Sequence, residues 1–441
     1  MQSAGTTLGV GAAPLEADGR APRLTAHIVT GCLIAFYVLL PLDVGFPALS
    51  IAGHPLNTAI VATLAALGVL AVQSRGAALT FLCEPYCIVQ GTYCAFLVVS
   101  SFASASPPSA LHAAVLYFAT FVINYVVFRY VTRAYGADWL SAVVVGVGLL
   151  AAAIGIARAL FSVSFPMYDA WFMAQARGYL PDSSVISTRE VGTMNNAILY
   201  GVLMVLVVPY IFDVRGKALR IVAVVAVTVA AGLTGSRTIA VGLVFGLGAI
   251  AVYWWRMIRA VAVTAIAVAV VSVVFASALA GLLDNDRFDF LLQRAGLRPE
   301  ANEAVSAAAF NLELRREALA AGLHEVNENW GVSAWLIGQG YGSAASVGQK
   351  VLAWYTTVDN VYLTQLLEHG LIGLTLFVAA FLTFMIRTVR AARATLHWYA
   401  PLALALAGLS FSWGTYSTFN ILVVGSMALA MWHEEHERVA R

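Results

Sequence analysis

The chain alternates between long apolar runs and short segments that carry charges, glycine or proline. A helix needs about 20 apolar residues to cross the roughly 30 Å hydrocarbon core of a bilayer, and runs of this length recur along the sequence. The pattern therefore predicts about twelve transmembrane helices. The predicted spans are 25–42, 57–73, 77–100, 111–131, 139–162, 193–213, 218–234, 238–255, 258–283, 361–386, 397–413 and 416–432.

Composition supports this interpretation. Hydrophobic residues make up 61% of the chain and charged residues only 11%, and the mean hydropathy is +0.82. These values are far from the balance of soluble domains and predict an all-α, polytopic integral membrane protein. The net charge of +2, without a basic block that carries interleaved aromatic residues, argues against a nucleic-acid partner.

A long polar segment separates the ninth and tenth predicted spans and is interpreted as a helical subdomain outside the bilayer. Within it, residues Asn302 to Asn327 predict a helix that lies against the membrane domain. Its predicted apolar face carries Val305, Phe310, Leu312, Leu319 and Leu323. The predicted organisation is a disordered cytoplasmic N-terminus 1–23, transmembrane helices one to nine over 24–283, the exterior subdomain 284–360, helices ten to twelve over 361–433 and a cytoplasmic tail 434–441.

The orientation is predicted from the short loops, because lysine and arginine accumulate on the cytoplasmic side of a membrane. With twelve spans, most basic residues of the short loops fall on one side, together with both termini. The two long segments 163–192 and 284–360 then face the periplasm or cell exterior, as does Arg237 in the turn between spans seven and eight.

Candidate ligand-binding residues stand near the end of the exterior segment. In Gly338-Gln339-Gly340-Tyr341-Gly342-Ser343, three alternate glycines allow close approach of the backbone to a ligand such as a phosphate, and the same pattern also fits a simple tight turn. Asp359-Asn360 follows at the entry to the tenth span, where either side chain is suited to cap the helix. Asp284-Asn285-Asp286 stands at a helix exit, where acidic residues are common, and no metal site is assigned to it.

These motifs belong to a longer series of motifs that follow one another in a fixed order along the chain. Leu336-Ile337-Gly338-Gln339-Gly340-Tyr341-Gly342 is followed by Asp359-Asn360-Val361-Tyr362-Leu363 and by Leu366-Leu367-Glu368-His369-Gly370-Leu371-Ile372-Gly373. The set resembles the signature of the O-antigen ligase and O-antigen polymerase superfamily of bacterial envelope glycan enzymes. Three further pieces resemble the family in the expected order, and the resemblance covers roughly residues 185 to 386. They are Arg189-Glu190-Val191-Gly192-Thr193-Met194-Asn195-Asn196, Ser236-Arg237, and Arg315 or Arg316.

The resemblance implies a glycosyltransferase that works outside the bacterial inner membrane. Its donor is expected to be an undecaprenyl-diphosphate-linked glycan and its acceptor a sugar hydroxyl of another glycan, with no nucleotide sugar, metal or cofactor. Membrane lipid is an expected partner and a chain-length regulator is a candidate one. Such enzymes serve lipopolysaccharide or exopolysaccharide biosynthesis in the cell envelope.

Roles for individual residues follow from the resemblance together with chemistry. Guanidinium groups stay protonated and bind phosphate oxygens in bidentate fashion, which suits a departing diphosphate. The expected catalytic residues are Asp359 as base, Arg237 and Arg315. The expected substrate-binding residues are Arg189, Asn195, Asn196, Arg316, Gly338, Gly340, Gly342 and Asn360. Glu368 and His369 lie about 14 Å deeper along the same helix, so they are less favoured as bases.

One position bears on the type of transfer. Ligases of this superfamily carry His-Asn where this chain carries Asp359-Asn360, and polymerase-like members often carry Asp there. The sequence therefore favours a polymerase of repeat units, with a ligase that transfers glycan to lipid or protein as the alternative. A secondary transporter is less favoured, because most charges cluster at the predicted membrane surfaces.

Overall fold

A computed structural model of the chain gives the positions of most of the predicted helices. The residues it describes are 45–51, 54–57, 65–68, 70, 77–102, 104, 106–161, 197–234, 239, 242–243, 302–352, 358, 360–391, 397, 399–408 and 420–440. The predicted N-terminal segment 1–23, the first predicted span and the ninth lie outside these described residues.

Helices dominate the described residues. In the first half they comprise a 3-10 helix Ala77–Cys83, α1 Pro85–Ser101, α2 Pro107–Tyr117, a π-helical segment Phe118–Ile123, α3 Asn124–Tyr135, α4 Ala137–Phe161, α5 Ala197–Ile211 and α6 Lys217–Leu233. In the second half they are α7 Asn302–Asn329, α8 Val332–Ile337, α9 Ser343–Val351, α10 Val361–Ala391, α11 Tyr399–Gly408 and α12 Asn420–Ala440.

The all-α prediction needs one correction. Strand β1, Gly45–Ile51, pairs with β2, His54–Asn57, in an antiparallel hairpin between the first two predicted spans. Pro47, Gly53 and Pro55 disfavour a helix in this segment, because proline lacks an N–H and glycine loses the most freedom on folding. The hairpin is therefore a local exception within an otherwise helical fold.

Three helices in the described part of the chain are long and apolar enough to cross a membrane. They are Pro107–Arg133, Ala137–Ala159 and Val361–Arg387, and they coincide with the predicted spans 111–131, 139–162 and 361–386. Leu199–Ile211 is apolar but shorter. The full count of twelve spans stays a prediction.

Close approach and polar contacts hold the long helices together. A Cβ added to Gly148 of α4 would lie 2.8 Å from Val207 of α5, so the two backbones approach closely at that point. Tyr200 of α5 donates a hydrogen bond to the carbonyl of Ala151 at 3.0 Å. Small residues and interhelical hydrogen bonds are the contacts that drive helix association in lipid, where the solvent is as apolar as the side chains.

The helix predicted from Asn302 to Asn327 is confirmed as α7, Asn302–Asn329, but its predicted apolar face is wrong at Leu319 and Leu323. The side chains of Val305, Phe310 and Leu312 lie outside the described part of the chain. Leu319 and Leu323 are exposed, whereas Leu314, Ala318 and Val326 are buried. Alanine and glycine let the backbone of α7 approach its neighbours, and a Cβ added to Gly322 would lie 2.8 Å from Leu363 of α10.

The segment between the ninth and tenth predicted spans shares a small core with the start of α10. Residues of α7, of α9 and of the first turns of α10 bury one another. The buried members of this cluster are Val326, Ala344, Val347, Val358, Leu363 and Leu367. The subdomain is therefore fastened to the beginning of the tenth predicted span.

Candidate active site

Helix α10 is interrupted two turns after it begins. Gly370 has φ 64° and ψ −165°, which is not helical, although helical hydrogen bonding continues on both sides. A break of this kind leaves the carbonyl groups of the preceding turn without their helical donors, and such groups require other partners when they are buried. The buried residues Leu367, Glu368 and His369 stand directly before the break.

The segment Gly338–Gly342, here called the glycine loop, supplies these partners. The N–H of Gln339 donates to the Leu367 carbonyl at 2.9 Å, and the N–H of Gly340 donates to the Glu368 carbonyl at 3.1 Å. The exterior segment is thus joined to the interrupted helix by backbone hydrogen bonds. The sequence did not predict that the glycine loop contacts α10 as deep in the helix as Leu367 and Glu368.

The glycines are required by geometry. A Cβ at Gly338 would lie 2.5 Å from backbone atoms of Glu368 and His369, and a Cβ at Gly370 would lie 2.5 Å from backbone atoms of Leu336 and Gly338. Both residues also have positive φ, 77° and 64°, which L side chains rarely adopt. The loop and the helix break therefore fit together only because both carry glycine.

The turn between α1 and α2 contacts the glycine loop from the other side. A Cβ at Gly340 would lie 2.6 Å from the Cα of Ser104. Ser104 also donates a hydrogen bond from its hydroxyl to the Tyr341 carbonyl at 3.2 Å. The loop is consequently enclosed between the end of the third predicted span and the start of the tenth.

Glu368 and His369 bring ionisable side chains to this junction. The Gly342 N–H donates to Oε1 of Glu368 at 3.0 Å, and Oε2 of Glu368 lies 4.0 Å from Nε2 of His369. Nδ1 of His369 lies 3.5 Å from the hydroxyl of Ser100 in α1. Both side chains are buried, so hydrogen bonds from the protein replace the water that they have lost.

A small cavity of about 10 Å³ adjoins these groups, with room for roughly one water molecule. Its polar lining can hold a hydroxyl group, and its apolar lining comes from α1 and α2. The lining residues are Leu97, Ser100, Ser101, Ala110, Ala113, Ala114, Tyr341, Glu368 and His369.

Glu325 of α7 fixes the position of the glycine loop. Its carboxylate accepts hydrogen bonds from Lys350 at 2.7 Å, from Gln339 of the loop at 3.1 Å and from Asn329 at 3.0 Å. The bond from Lys350 is the main cause that lowers the pKa of Glu325 to about 2, with the bond from Gln339 next. A charged carboxylate thus links α7, α9 and the loop.

Asn360 is the N-cap of α10. Its side-chain oxygen accepts a hydrogen bond from the N–H of Leu363 at 2.9 Å, and its carbonyl accepts one from the N–H of Thr364 at 2.9 Å. The sequence left open whether Asp359 or Asn360 caps the helix. Because Asn360 fills this role, capping does not require the carboxylate of Asp359.

Arg315 and Arg316 lie on different parts of the surface of α7. Arg315 is half-buried and Arg316 is exposed. The neighbouring Leu314 and Ala318 pack against Val351 and Leu352, which begin the segment that leads to Asn360. Of the two arginines, Arg315 is therefore the less exposed to solvent.

The remaining predicted site residues lie outside the described residues. They are Asp359, Arg237, Arg189, Asn195 and Asn196. Among the described residues, the structure brings together Gly338, Gly340 and Gly342 with Glu368 and His369. The sequence disfavours Glu368 and His369 as bases because they lie deep along the predicted span. A pair of ionisable residues directly before a glycine in an apolar run was nevertheless a usable signal for a helix break.

Comparison with known proteins agrees with the motifs. Residues 221–378 match the Wzy_C family model, described as O-antigen ligase. The matched region runs from α6 into α10 and includes Arg237, Arg315, the glycine loop and Glu368. It excludes Arg189, Asn195 and Asn196.

No curated protein matches the chain significantly. The family match supports a membrane enzyme of the O-antigen ligase and polymerase type, with a polyprenyl-linked glycan and an acceptor as its substrates. Residues 221–378, less than half of the chain, match the O-antigen ligase family model, and this match supports the O-antigen ligase and polymerase superfamily as the one that the chain resembles.

Proposed function

We propose that this protein polymerises polyprenyl-diphosphate-linked oligosaccharide repeat units into an envelope or exported polysaccharide. The family match supports a glycan-transferring membrane enzyme, and Asp359 stands where ligases carry histidine, which favours the polymerase. We further propose an inner-membrane location with both termini cytoplasmic and the active site on the exterior side.

The observation that carries the proposal is the glycine loop seated on the break of α10. This contact joins the matched motifs Gly338–Gly342 and Glu368–Gly370 in a single site, which adjoins the cavity between α1, α2 and α10. Asn360, at the entry of the same helix, lies about 12 Å from Glu368 along the helix axis.

The proposed reaction is a displacement at the anomeric carbon of the donor. The acceptor hydroxyl forms the new glycosidic bond, the carbon–oxygen bond to the diphosphate breaks, and polyprenyl diphosphate departs with the bonding electron pair. The hydroxyl proton passes to a carboxylate, for which Asp359 is our first candidate. Arg189, Arg237 and Arg315 are proposed to stabilise the charge on the diphosphate, without a metal ion.

Reconstitution with a synthetic lipid-linked repeat unit tests the proposal. Wild-type protein is expected to produce a ladder of polyprenyl-linked chains, and the double variant Asp359→Ala, Arg237→Ala is expected to produce none. Full chain extension by the double variant would contradict the assignment. Folding is checked by the elution volume and melting temperature of each protein in detergent.

A second comparison determines whether Glu368 acts in the chemistry. Glu368→Gln keeps an oxygen that accepts the Gly342 N–H but cannot take a proton, whereas Glu368→Ala removes both functions. If Glu368 is the base, both variants lose activity. If it only holds the loop, the glutamine variant stays active and the alanine variant does not.

The reaction product distinguishes a ligase from a polymerase. A polymerase lengthens glycan that remains attached to polyprenyl diphosphate, whereas a ligase transfers a glycan of unchanged length to a lipid or protein acceptor. Electrophoresis of the labelled product with each acceptor distinguishes them. Uptake assays on the same vesicles address the less favoured transporter function.

A further inference from the structure

Three side chains with metal-binding atoms meet at the end of the bundle away from the glycine loop. Asp213 follows α5, His397 precedes α11, and His433 lies on α12. One candidate ligand atom from each residue lies within 4.8 Å of the others. The three residues come from distant parts of the sequence, so the cluster is a product of the fold.

The cluster lies far from the glycan site. The part of α10 between the break at Gly370 and its end at Ala391 covers 21 residues, a rise of about 32 Å. His397 follows six residues later. The inference below therefore does not depend on the proposed transfer reaction.

The contacts within the cluster are short and ordered. Nε2 of His397 lies 2.7 Å from Oδ2 of Asp213, and Ser141 of α4 donates a hydrogen bond to the same oxygen at 2.9 Å. The rings of His397 and His433 are stacked with their centroids 6.4 Å apart. Ser141 thus orients the carboxylate from outside the cluster, as hydrogen-bonding neighbours of metal ligands commonly do.

The His397 side chain is fully buried, and its Nε2 faces the Asp213 carboxylate, so Nε2 is the nitrogen that can bind an ion at this cluster. Two imidazoles and one carboxylate around a common point also match the three-ligand sets of zinc sites.

The distances suit a metal of this type. Ligand bonds of about 2.0–2.2 Å in a tetrahedral site keep the ligand atoms roughly 3.4 Å apart. This separation falls between the 2.7 Å contact of Asp213 with His397 and the 4.8 Å limit of the cluster.

We propose that Asp213, His397 and His433 bind a divalent transition metal such as Zn²⁺, with a water molecule in the fourth position. The ion joins the end of α5, the start of α11 and α12, and thereby stabilises this end of the bundle. Imidazole nitrogen and carboxylate oxygen together favour zinc over magnesium or calcium, which prefer all-oxygen sites.

The test uses full-length protein in detergent, carrying an affinity tag without histidine. The protein is treated with a chelator, equilibrated with Zn²⁺ and desalted, and bound zinc is measured by mass spectrometry. One zinc per chain is expected for the wild type. His397→Ala and His433→Ala are each expected to weaken binding at least tenfold.

His436→Ala is the matched control. His436 lies on the same helix one turn after Trp432, is exposed, and contacts Trp432 rather than the cluster. Its loss is expected to leave zinc binding unchanged. Substoichiometric binding by the wild type, or equal binding by the His433→Ala variant, would overturn the proposal.

Co²⁺ substitution provides a readout that does not require a variant to fold. Tetrahedral Co²⁺ absorbs strongly in the visible range, whereas hydrated Co²⁺ absorbs weakly. The wild type is expected to give the intense spectrum, and Zn²⁺ is expected to remove it and to raise the melting temperature. A hydrated-type Co²⁺ spectrum would count against the site.

Discussion

The two ends of the helix bundle are held together by different kinds of contact. At the glycine-loop end, backbone donors of Gln339 and Gly340 bond to backbone carbonyls of Leu367 and Glu368. At the opposite end, buried Arg129 contacts Glu84 and Glu435, and Asp213 contacts His397. The first end depends on the absence of side chains at glycine positions, with the Glu325–Lys350 ion pair beside the loop, whereas the second depends on contacts between ionisable side chains.

This difference leads to different expectations for the two ends. At the glycine-loop end, Ser100, Glu368 and His369 line a small cavity, so we expect displacement of the loop to impair activity. At the other end, we expect loss of the buried Arg129 to impair stability.

The largest effect is expected from Gly338→Ala. The new Cβ would lie 2.5 Å from backbone atoms of α10, at a φ of +77°, so the loop must move away. Displacement of a reacting group by about 1 Å can cost on the order of a hundredfold in rate, and chain extension is expected to fall at least that far.

Gly331→Ala is the control for this prediction. Gly331 has φ −80° and no neighbouring atom within 4 Å of an added Cβ. Repeat-unit incorporation is measured for both variants beside the wild type. Equal activity of the Gly338 and Gly331 variants would show that the loop contact is not needed for function.

The second prediction concerns stability at the opposite end. Arg129→Met leaves Glu84 and Glu435, which are 23% and 36% exposed, without the buried guanidinium that bonds to both, and loss of hydrogen bonds to charged groups costs on the order of 2 kcal/mol. The free energy of unfolding in detergent is the measurement. Activity per folded molecule is expected to stay near the wild-type value.

Arg133→Met is the matched control, because Arg133 is 43% exposed and lies 3.8 Å from the same Glu435. Exposed ion pairs contribute about 0.2–1 kcal/mol, so its effect is expected to be much smaller. A similar loss of stability in both variants would contradict the role given to burial.

A smaller effect is expected from Glu325→Ala at the glycine-loop end. The substitution removes the acceptor for Lys350, Gln339 and Asn329. Because Lys350 is largely exposed, we expect a loss of only about 1–2 kcal/mol in local stability. Hydrogen exchange at the Gln339 and Gly340 amides is the measurement. Unchanged protection of these amides would show that Glu325 does not hold the glycine loop in place.

The smallest effect concerns pH. Since the pKa of Glu325 is lowered from 4.5 to about 2, its contribution to stability is present above pH 4.5 and is lost as the pH falls toward 2. The difference in melting temperature between the wild type and Glu325→Gln is therefore expected to shrink across this range. A difference in melting temperature that grows toward low pH would show that the charged form of Glu325 does not stabilise the fold.

Part of the site could be predicted from sequence because its motifs are local. The alternate glycines of the loop and the Asp359-Asn360 pair were recognisable in single segments, and Asn360 does cap α10. The place of Glu368 and His369 could not be predicted in this way. Their depth along a straight helix argued against them, and only the docked loop brings the exterior segment to that depth.

The apolar face of α7 shows a second limit. Hydrophobicity alone selected Leu319 and Leu323, but both are exposed while Ala318 is buried. Near a bilayer, exposed leucine carries no penalty when lipid covers it, and close packing favours small residues instead. The period of a helix was therefore predictable, whereas its packed face was not.

By itself, the sequence determined the membrane class, the helix at Asn302, the span at residues 361–386 and the family motifs, since each depends on composition or on neighbours along the chain. Only the tertiary structure decided that the glycine loop rests on the break at Gly370, and that Asp213, His397 and His433 meet. Long-range contacts of this kind depend on how helices pack, and packing is a property of the whole fold rather than of any one segment.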